Sequence, residues 1–120
     1  HEGPLSLVAA ANGRYFGSGM QIAPAAELDD GLFDIVLVRG LPRLQMIARL
    51  PSLYRGRHIG HPSVSVHRGV RLDVELLSGS SWIDVDGECL GAPPVTIELL
   101  PGAIRLFGLP ARPRQDSRNI

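Results

Sequence analysis

At 120 residues the chain is sized for one domain. Hydrophobic residues make up 44% and charged residues 20%, with zero formal net charge, so a core can be built; a disordered tail and a collagen-like fibre are excluded. No apolar run approaches the roughly 20 residues needed to span a bilayer, and His1-Glu2-Gly3-Pro4 lacks the basic stretch and apolar block of a signal peptide.

Fourteen Gly and ten Pro punctuate short apolar segments, the pattern of an all-β domain. Taken in chain order, strands are predicted at residues 4–11, 19–25, 33–39, 63–67, 70–77, 82–86, 95–100 and 103–107. Leu72, Val74 and Leu76 alternate with Arg71, Asp73 and Glu75, and Val95, Ile97 and Leu99 alternate with Thr96 and Glu98. Period two with one apolar face describes a half-buried antiparallel strand. Pro101-Gly102 should close the last hairpin, and Gly69 should mark a turn or bulge. One segment, residues 41–54, reads as helix: Leu41, Leu44, Ile47, Leu50, Leu53 and Tyr54 recur at helical spacing. Pro51 removes a backbone donor, so the helix should kink or restart there. The expected architecture is an antiparallel β-sandwich with one helical insertion, occupying residues 1–108. Residues 109–120, with three Arg and two Pro, read as a loose C-terminal tail. Residues 4–11 look like a mid-sheet strand with no folded unit ahead of it, so the chain is expected to be a fragment of something longer.

All twelve basic residues are Arg and there is no Lys, which removes the P-loop lysine, the Schiff-base lysine and the protein-kinase lysine. A single cysteine, Cys89, excludes an internal disulfide and a multi-cysteine zinc site, and points to a reducing compartment. With no His near it in sequence, it is not expected to be a catalytic thiol.

The strongest constellation is Trp82-Ile83-Asp84-Val85-Asp86-Gly87-Glu88. In a strand, Ile83 and Val85 would point inward while Asp84 and Asp86 share the other face, with Glu88 following at the same spacing. Such carboxylates are tolerated together where a metal, an Arg or a substrate proton compensates them, and a Glu at a strand end beside a cleft suits a general base. A solvated edge with a Gly turn is an equal reading of the spacing. An EF-hand is excluded by register, because Trp82 and Pro93 would be the first and last ligands. A second constellation is Glu27-Leu28-Asp29-Asp30-Gly31-Leu32. It is first of all a turn, though carboxylates and free carbonyls at a tight turn also hold a hard cation through oxygen.

Residues 35–72 contain no Asp or Glu but carry Arg39, Arg43, Arg49, Arg55, Arg57, Arg68 and Arg71, with His58, His61 and His67. This stretch suits an anionic surface such as lipid headgroups or phosphate, against a solvated face balanced by acids elsewhere. Nucleic acid is not expected as a partner, since Tyr54 is the one aromatic available for stacking. His58 and His61 alone make a weak metal motif. Residues 12–19 are glycine-rich but miss the dinucleotide fingerprint, because Ile22 stands where the third Gly belongs. They read as a tight loop.

Several motifs, taken in order, resemble the C-terminal domain of the diacylglycerol kinase and sphingosine kinase superfamily, in particular its bacterial lipid kinases. They are Ala11-Asn12-Gly13-Arg14-Tyr15-Phe16-Gly17-Ser18-Gly19-Met20, Ile22-Ala23-Pro24-Ala25-Ala26, Leu28-Asp29-Asp30-Gly31-Leu32-Phe33-Asp34, Leu53-Tyr54-Arg55-Gly56-Arg57-His58, Val85-Asp86-Gly87-Glu88 and Leu100-Pro101-Gly102-Ala103-Ile104. The resemblance covers residues 9 to about 107. It implies the second domain of a two-domain enzyme. An N-terminal α/β domain with a Gly-Gly-Asp-Gly-Thr motif would bind ATP, and this β-sandwich would supply the lipid side of the cleft. That motif does not occur here, so this chain alone is not expected to catalyse.

By the same resemblance, Glu88 is the proton acceptor from the lipid hydroxyl, and Asp86 lies by the nucleotide. Asp30, with the carbonyls of Glu27 and Leu32, makes a structural Mg²⁺ site. The implied partners are a lipid substrate, ATP through the N-terminal domain, and an anionic membrane surface. The implied location is cytoplasmic and peripheral at the membrane. Phosphoryl transfer by positioning and charge neutralisation, with one carboxylate for the proton, agrees with the residues present. The rival readings are a stand-alone, non-catalytic lipid- or anion-binding β domain, and a β-rich interaction domain.

Overall fold

The computed structural model describes residues 1–105 and 107. The predicted tail at residues 109–120, and residues 106 and 108, lie outside them.

Three strands form the main sheet: β1 (Leu5–Ala11), β2 (Phe33–Arg39) and β3 (Val64–Gly69), paired antiparallel in that order. β2 is central, and its Ile35-Val36-Leu37-Val38 run is buried on both faces, as a short uninterrupted apolar run bounded by polar ends requires. Val36 is fully buried and packs with Ile22, Ala23 and Ala26, which Ala9, Ala11, Leu53, Ile59 and Val64 surround. The β1–β2 register slips between Leu5 and Leu7, placing Ser6 at the irregularity. Ser6 Oγ donates to the Leu41 carbonyl at 3.0 Å and accepts from the Leu41 amide at 2.9 Å. That pair of bonds ties the edge strand to the start of the helical segment.

The remaining strands make two hairpin-like pairs. β4 (Arg71–Val74) pairs antiparallel with β7 (Val95–Glu98), and β5 (Ile83–Val85) with β6 (Glu88–Gly91). The predicted alternation holds in β4 and β7: Leu72 opposes Ile97 and Val74 opposes Val95. On the other face Arg71 donates to Glu98 at 2.7 Å and to Asp73 at 2.9 and 3.0 Å, and Thr96 Oγ1 donates to Asp73 at 2.6 Å. The Arg71 and Thr96 hydrogen bonds hold the Asp73 carboxyl down at about 2.

Every strand pair is antiparallel, as expected. Most strand ends shift by one or two residues, and three predicted segments differ more. Residues 19–25 form no strand beyond the Phe16–Met20 bridge. Gly17 (φ 53°) and Gly19 (φ 89°) turn the chain tightly, and the Ile22 amide then bonds the Met20 carbonyl at 3.2 Å, coiling the backbone. The apolar residues there are core plugs, held by Arg14 Nε donating to the Ala26 carbonyl at 3.1 Å. Residues 75–77 fall outside β4, and residues 103–105 form no strand. Pro101-Gly102 is a turn, with the Ala103 amide on the Leu100 carbonyl at 3.3 Å, and no described strand follows to pair.

The helical segment restarts as predicted. α1 (Arg43–Ala48) is followed by α2 (Leu50–Tyr54), in whose first turn Pro51 sits, where a missing amide costs nothing. A 3-10 turn, Arg57–Gly60, follows Gly56 at φ 65°. A Cβ at Gly56 would stand 2.7 Å from Pro24 Cγ, so this glycine is required twice, by conformation and by space.

Candidate functional site

Asp86 and Gly87 form the two-residue turn between β5 and β6. Both have positive φ, 52° and 92°, the geometry a tight hairpin needs. Asp84 Oδ1 accepts from the Gly87 amide at 3.0 Å and fixes the turn. Val85 opposes Glu88 and Asp84 opposes Cys89, and directly opposed residues share a face. Glu88 therefore lies on the face of Val85, and Asp84 on the other. The expected row of Asp84, Asp86 and Glu88 along one face does not form, because the chain reverses at Asp86-Gly87 instead of running on. Asp86 and Glu88 are both exposed at the tip of this hairpin, where a carboxylate can meet a ligand brought from outside. The strand β6 lies outside the strands predicted from the sequence. Asp-Gly between two short apolar runs was the signal that could have found it.

The Glu27–Leu32 turn is a charge cluster organised by Arg68 from β3. Asp30 Oδ1 accepts from the Leu32 amide at 2.9 Å, and its Oδ2 is paired with the Arg68 guanidinium. Arg68 Nε stands 3.7 Å from Asp34 Oδ1, while Asp34 Oδ2 is buried without a hydrogen-bond partner. Burial, with the Glu27 charge second, pushes the Asp34 carboxyl up. The side-chain donors around the turn are carboxylate oxygens and one buried oxygen, Asp34 Oδ2, is unmet, which is the donor chemistry that a hard divalent cation uses. Arg68 is its competitor at Asp30. Among the described residues no three His, Cys, Asp or Glu side chains converge, so any ion here would depend on backbone carbonyls. That also holds for His58 and His61. His58 Nε2 sits 3.0 Å from the Ile22 carbonyl, while His61 Nδ1 accepts from the Ser63 amide at 3.1 Å, so the two rings serve the backbone separately.

Sequence reasoning missed a cavity of about 530 Å³ between the helical segment and the sheet. Its walls are mainly apolar, with Leu7 and Val38 from the sheet facing Met46, Ile47, Leu50 and Leu53 from the helices. Arg49, Arg57, Ser52, His58 and His61 are the polar members, and among the described residues no carboxylate lines it. None of its lining residues comes from the β5–β6 hairpin. The helices cover the sheet incompletely: Leu44 is 79% and Ile47 62% exposed, although both lie on the predicted apolar face. The Arg-rich stretch divides. Arg68 and Arg71 are committed to acids, while Arg43, Arg49, Arg55 and Arg57 accompany the helices.

An all-antiparallel β domain agrees with a family profile that spans residues 1–108, the YegS C-terminal NAD kinase beta sandwich-like domain. The chain belongs to this family. It is 30% identical over 110 residues to a diacylglycerol kinase of Mycobacterium tuberculosis, covering 92% of this chain and 34% of that protein. It is 36% identical over 112 residues to a probable YegS-like lipid kinase of Pseudomonas aeruginosa, covering 92% and 35%. It is also similar to human sphingosine kinase 2, 29% identical over 119 residues, covering 96% and 18%. The chain thus spans about a third of the bacterial relatives' length, and less of the human one. Among the described residues no helix is long and apolar enough to cross a membrane.

Proposed function

We propose that this chain is the lipid-binding C-terminal part of an ATP-dependent lipid kinase that phosphorylates a hydroxyl of diacylglycerol or a related lipid. The apolar cavity carries this reading, since a pocket of this size with few polar groups suits a hydrocarbon chain. The kinase names of its relatives support it. In the intact enzyme the lipid hydroxyl oxygen attacks the terminal phosphorus of ATP, ADP leaves, and the hydroxyl proton passes to the Glu88 carboxylate. Asp86, on the same turn, faces the nucleotide held by the N-terminal domain. This chain contributes position and a proton acceptor, which is most of what a loose phosphoryl-transfer transition state asks of a protein.

Asp30 and the carbonyls of Glu27 and Leu32 would hold Mg²⁺ as a structural ion, whose charge would bind the turn to the strands around it. The exposed apolar residues of α1, Leu44 and Ile47, with Arg43 and Arg49 beside them, would rest on an anionic bilayer, keeping the enzyme peripheral. The test is a kinase assay on the full-length protein with labelled ATP and diacylglycerol. Labelled phosphatidic acid is expected from the whole protein and none from the 120-residue chain. Turnover by the chain alone, or none by the whole protein on any lipid alcohol, overturns the proposal. Binding to phosphatidylserine vesicles should weaken as salt rises.

A further inference from the structure

Two arginines, Arg49 and Arg57, line the apolar cavity, and both are exposed. A long arginine stem covers apolar wall while its charged head stays at the water's edge, so these two heads belong at the cavity mouth. Among the described residues neither guanidinium has an ion pair or a hydrogen bond, whereas those of Arg14, Arg68 and Arg71 are engaged. No acid compensates them locally, because residues 35–72 contain no Asp or Glu. His61 adds a neutral donor. Its Nδ1 accepts from the Ser63 amide, so in the neutral ring Nε2 carries the proton. The other polar members are spent or hidden. Ser52 Oγ donates to the Arg49 carbonyl, His58 Nε2 is bonded to the Ile22 carbonyl, and His58 Nδ1 is buried without a partner. A cavity of about 150 Å³ takes benzene, so one of about 530 Å³ has room for roughly twenty carbons, one long hydrocarbon chain.

We infer that the cavity is a site for a lipid phosphate monoester, with one hydrocarbon chain inside and the phosphate received by Arg49 and Arg57. Charge complementarity decides the head group. A phosphate monoester brings close to two negative charges at neutral pH and three acceptor oxygens, which two forked guanidiniums can meet bidentately. A carboxylate brings one charge and two oxygens, and a lipid alcohol brings no charge. The cavity therefore holds the phosphorylated lipid in preference to the alcohol. The inference rests on the reading of the cavity as a lipid site, and goes beyond it in naming the head group that the cavity selects.

The test compares decyl phosphate, decanoate and 1-decanol, below their aggregation concentrations, by calorimetric titration into the full-length protein. Decyl phosphate is expected to bind at least about tenfold tighter than 1-decanol, the worth of one charge-assisted hydrogen bond, and tighter than decanoate. 1-Decanol should compete with it for the same site. Arg49→Gln and Arg57→Gln should each remove most of the preference and leave the affinity for 1-decanol in place. Arg55→Gln lies between them in the chain but outside the cavity wall, so it should keep the preference. Equal affinities for decyl phosphate and 1-decanol, or a preference that survives both variants, overturn the inference and leave the cavity reading standing. Decanoate binding as tightly as the phosphate overturns the choice of head group, and binding of none of the three overturns both readings. Should the variants fail to fold, the wild type decides by ³¹P NMR. Two guanidiniums should lower the second pKa of bound decyl phosphate below its ordinary value of about 6, and an unmoved midpoint overturns the inference.

Discussion

Glu88 owes its candidacy to its place one residue past a hairpin turn, where the carboxylate is exposed and the backbone is fixed by Asp84. If it takes the hydroxyl proton, Glu88→Gln in the full-length protein should lower kcat about 10²–10⁴-fold, with KM for ATP close to wild type. Glu98→Gln, on β7, should do little, and equal losses in both variants would point to folding. Asp30 makes a second residue-scale prediction. Mg²⁺ should raise the thermal midpoint of the wild type, EDTA should lower it, and Asp30→Ala should respond to neither. Because Arg68 holds the same carboxylate, Arg68→Gln should bind Mg²⁺ more tightly, read by titration calorimetry. His58 predicts a pH dependence. Its pKa is lower folded than unfolded, so the unfolded chain takes up the proton first and stability rises with pH. The contribution is complete above the ordinary value of 6.5 and falls away as pH drops below it. Arg49, Arg57 and His61 line the same cavity. Denaturation midpoints of wild type and His58→Gln between pH 5 and 7.5 should show a slope that flattens in the variant.

At the scale of elements, the helical segment was legible from apolar spacing and from Pro51, because both act locally along the chain. What covers it was not. Leu44 and Ile47 satisfy the helical period yet remain mostly exposed, since two short helices cannot seal a three-stranded sheet. The 3-10 turn after Gly56 depends on a contact with Pro24, some thirty residues earlier in the chain. Gly56→Ala should therefore destabilise the fold by about 2 kcal/mol or more, combining a left-handed backbone with a clash. Chemical denaturation would show it. Gly40→Ala shares the positive φ but has open space around it, so it should cost less.

Across the whole molecule, burial is uneven. The core gathers around β2, while Leu76, Trp82, Leu90, Leu100 and Ile104 outside it stay exposed. Surface of this kind suits a domain that lies against another folded unit. The isolated chain should accordingly bind the dye ANS strongly, and the full-length protein weakly per mole. Equal binding would mean that this surface stays open in the whole enzyme.

The antiparallel class, the buried β2 run, the alternation of β4 and β7, the break at Pro51 and the family were all written in the sequence. They depend on local period, backbone chemistry and motif order. The candidate residues Glu88, Asp86 and Asp30 were legible in the same way, from short motifs. Their geometry was not. A two-residue reversal at Asp86-Gly87 set Glu88 and Asp84 on opposite faces, and Arg68 reached the Asp30 carboxylate from a strand 38 residues away. The cavity and the unmet nitrogen of His58 exist only where helix, turn and sheet meet. Sequence periodicity specifies which side chains leave water, whereas the space left between them, and the partners a buried atom lacks, are properties of the assembled fold.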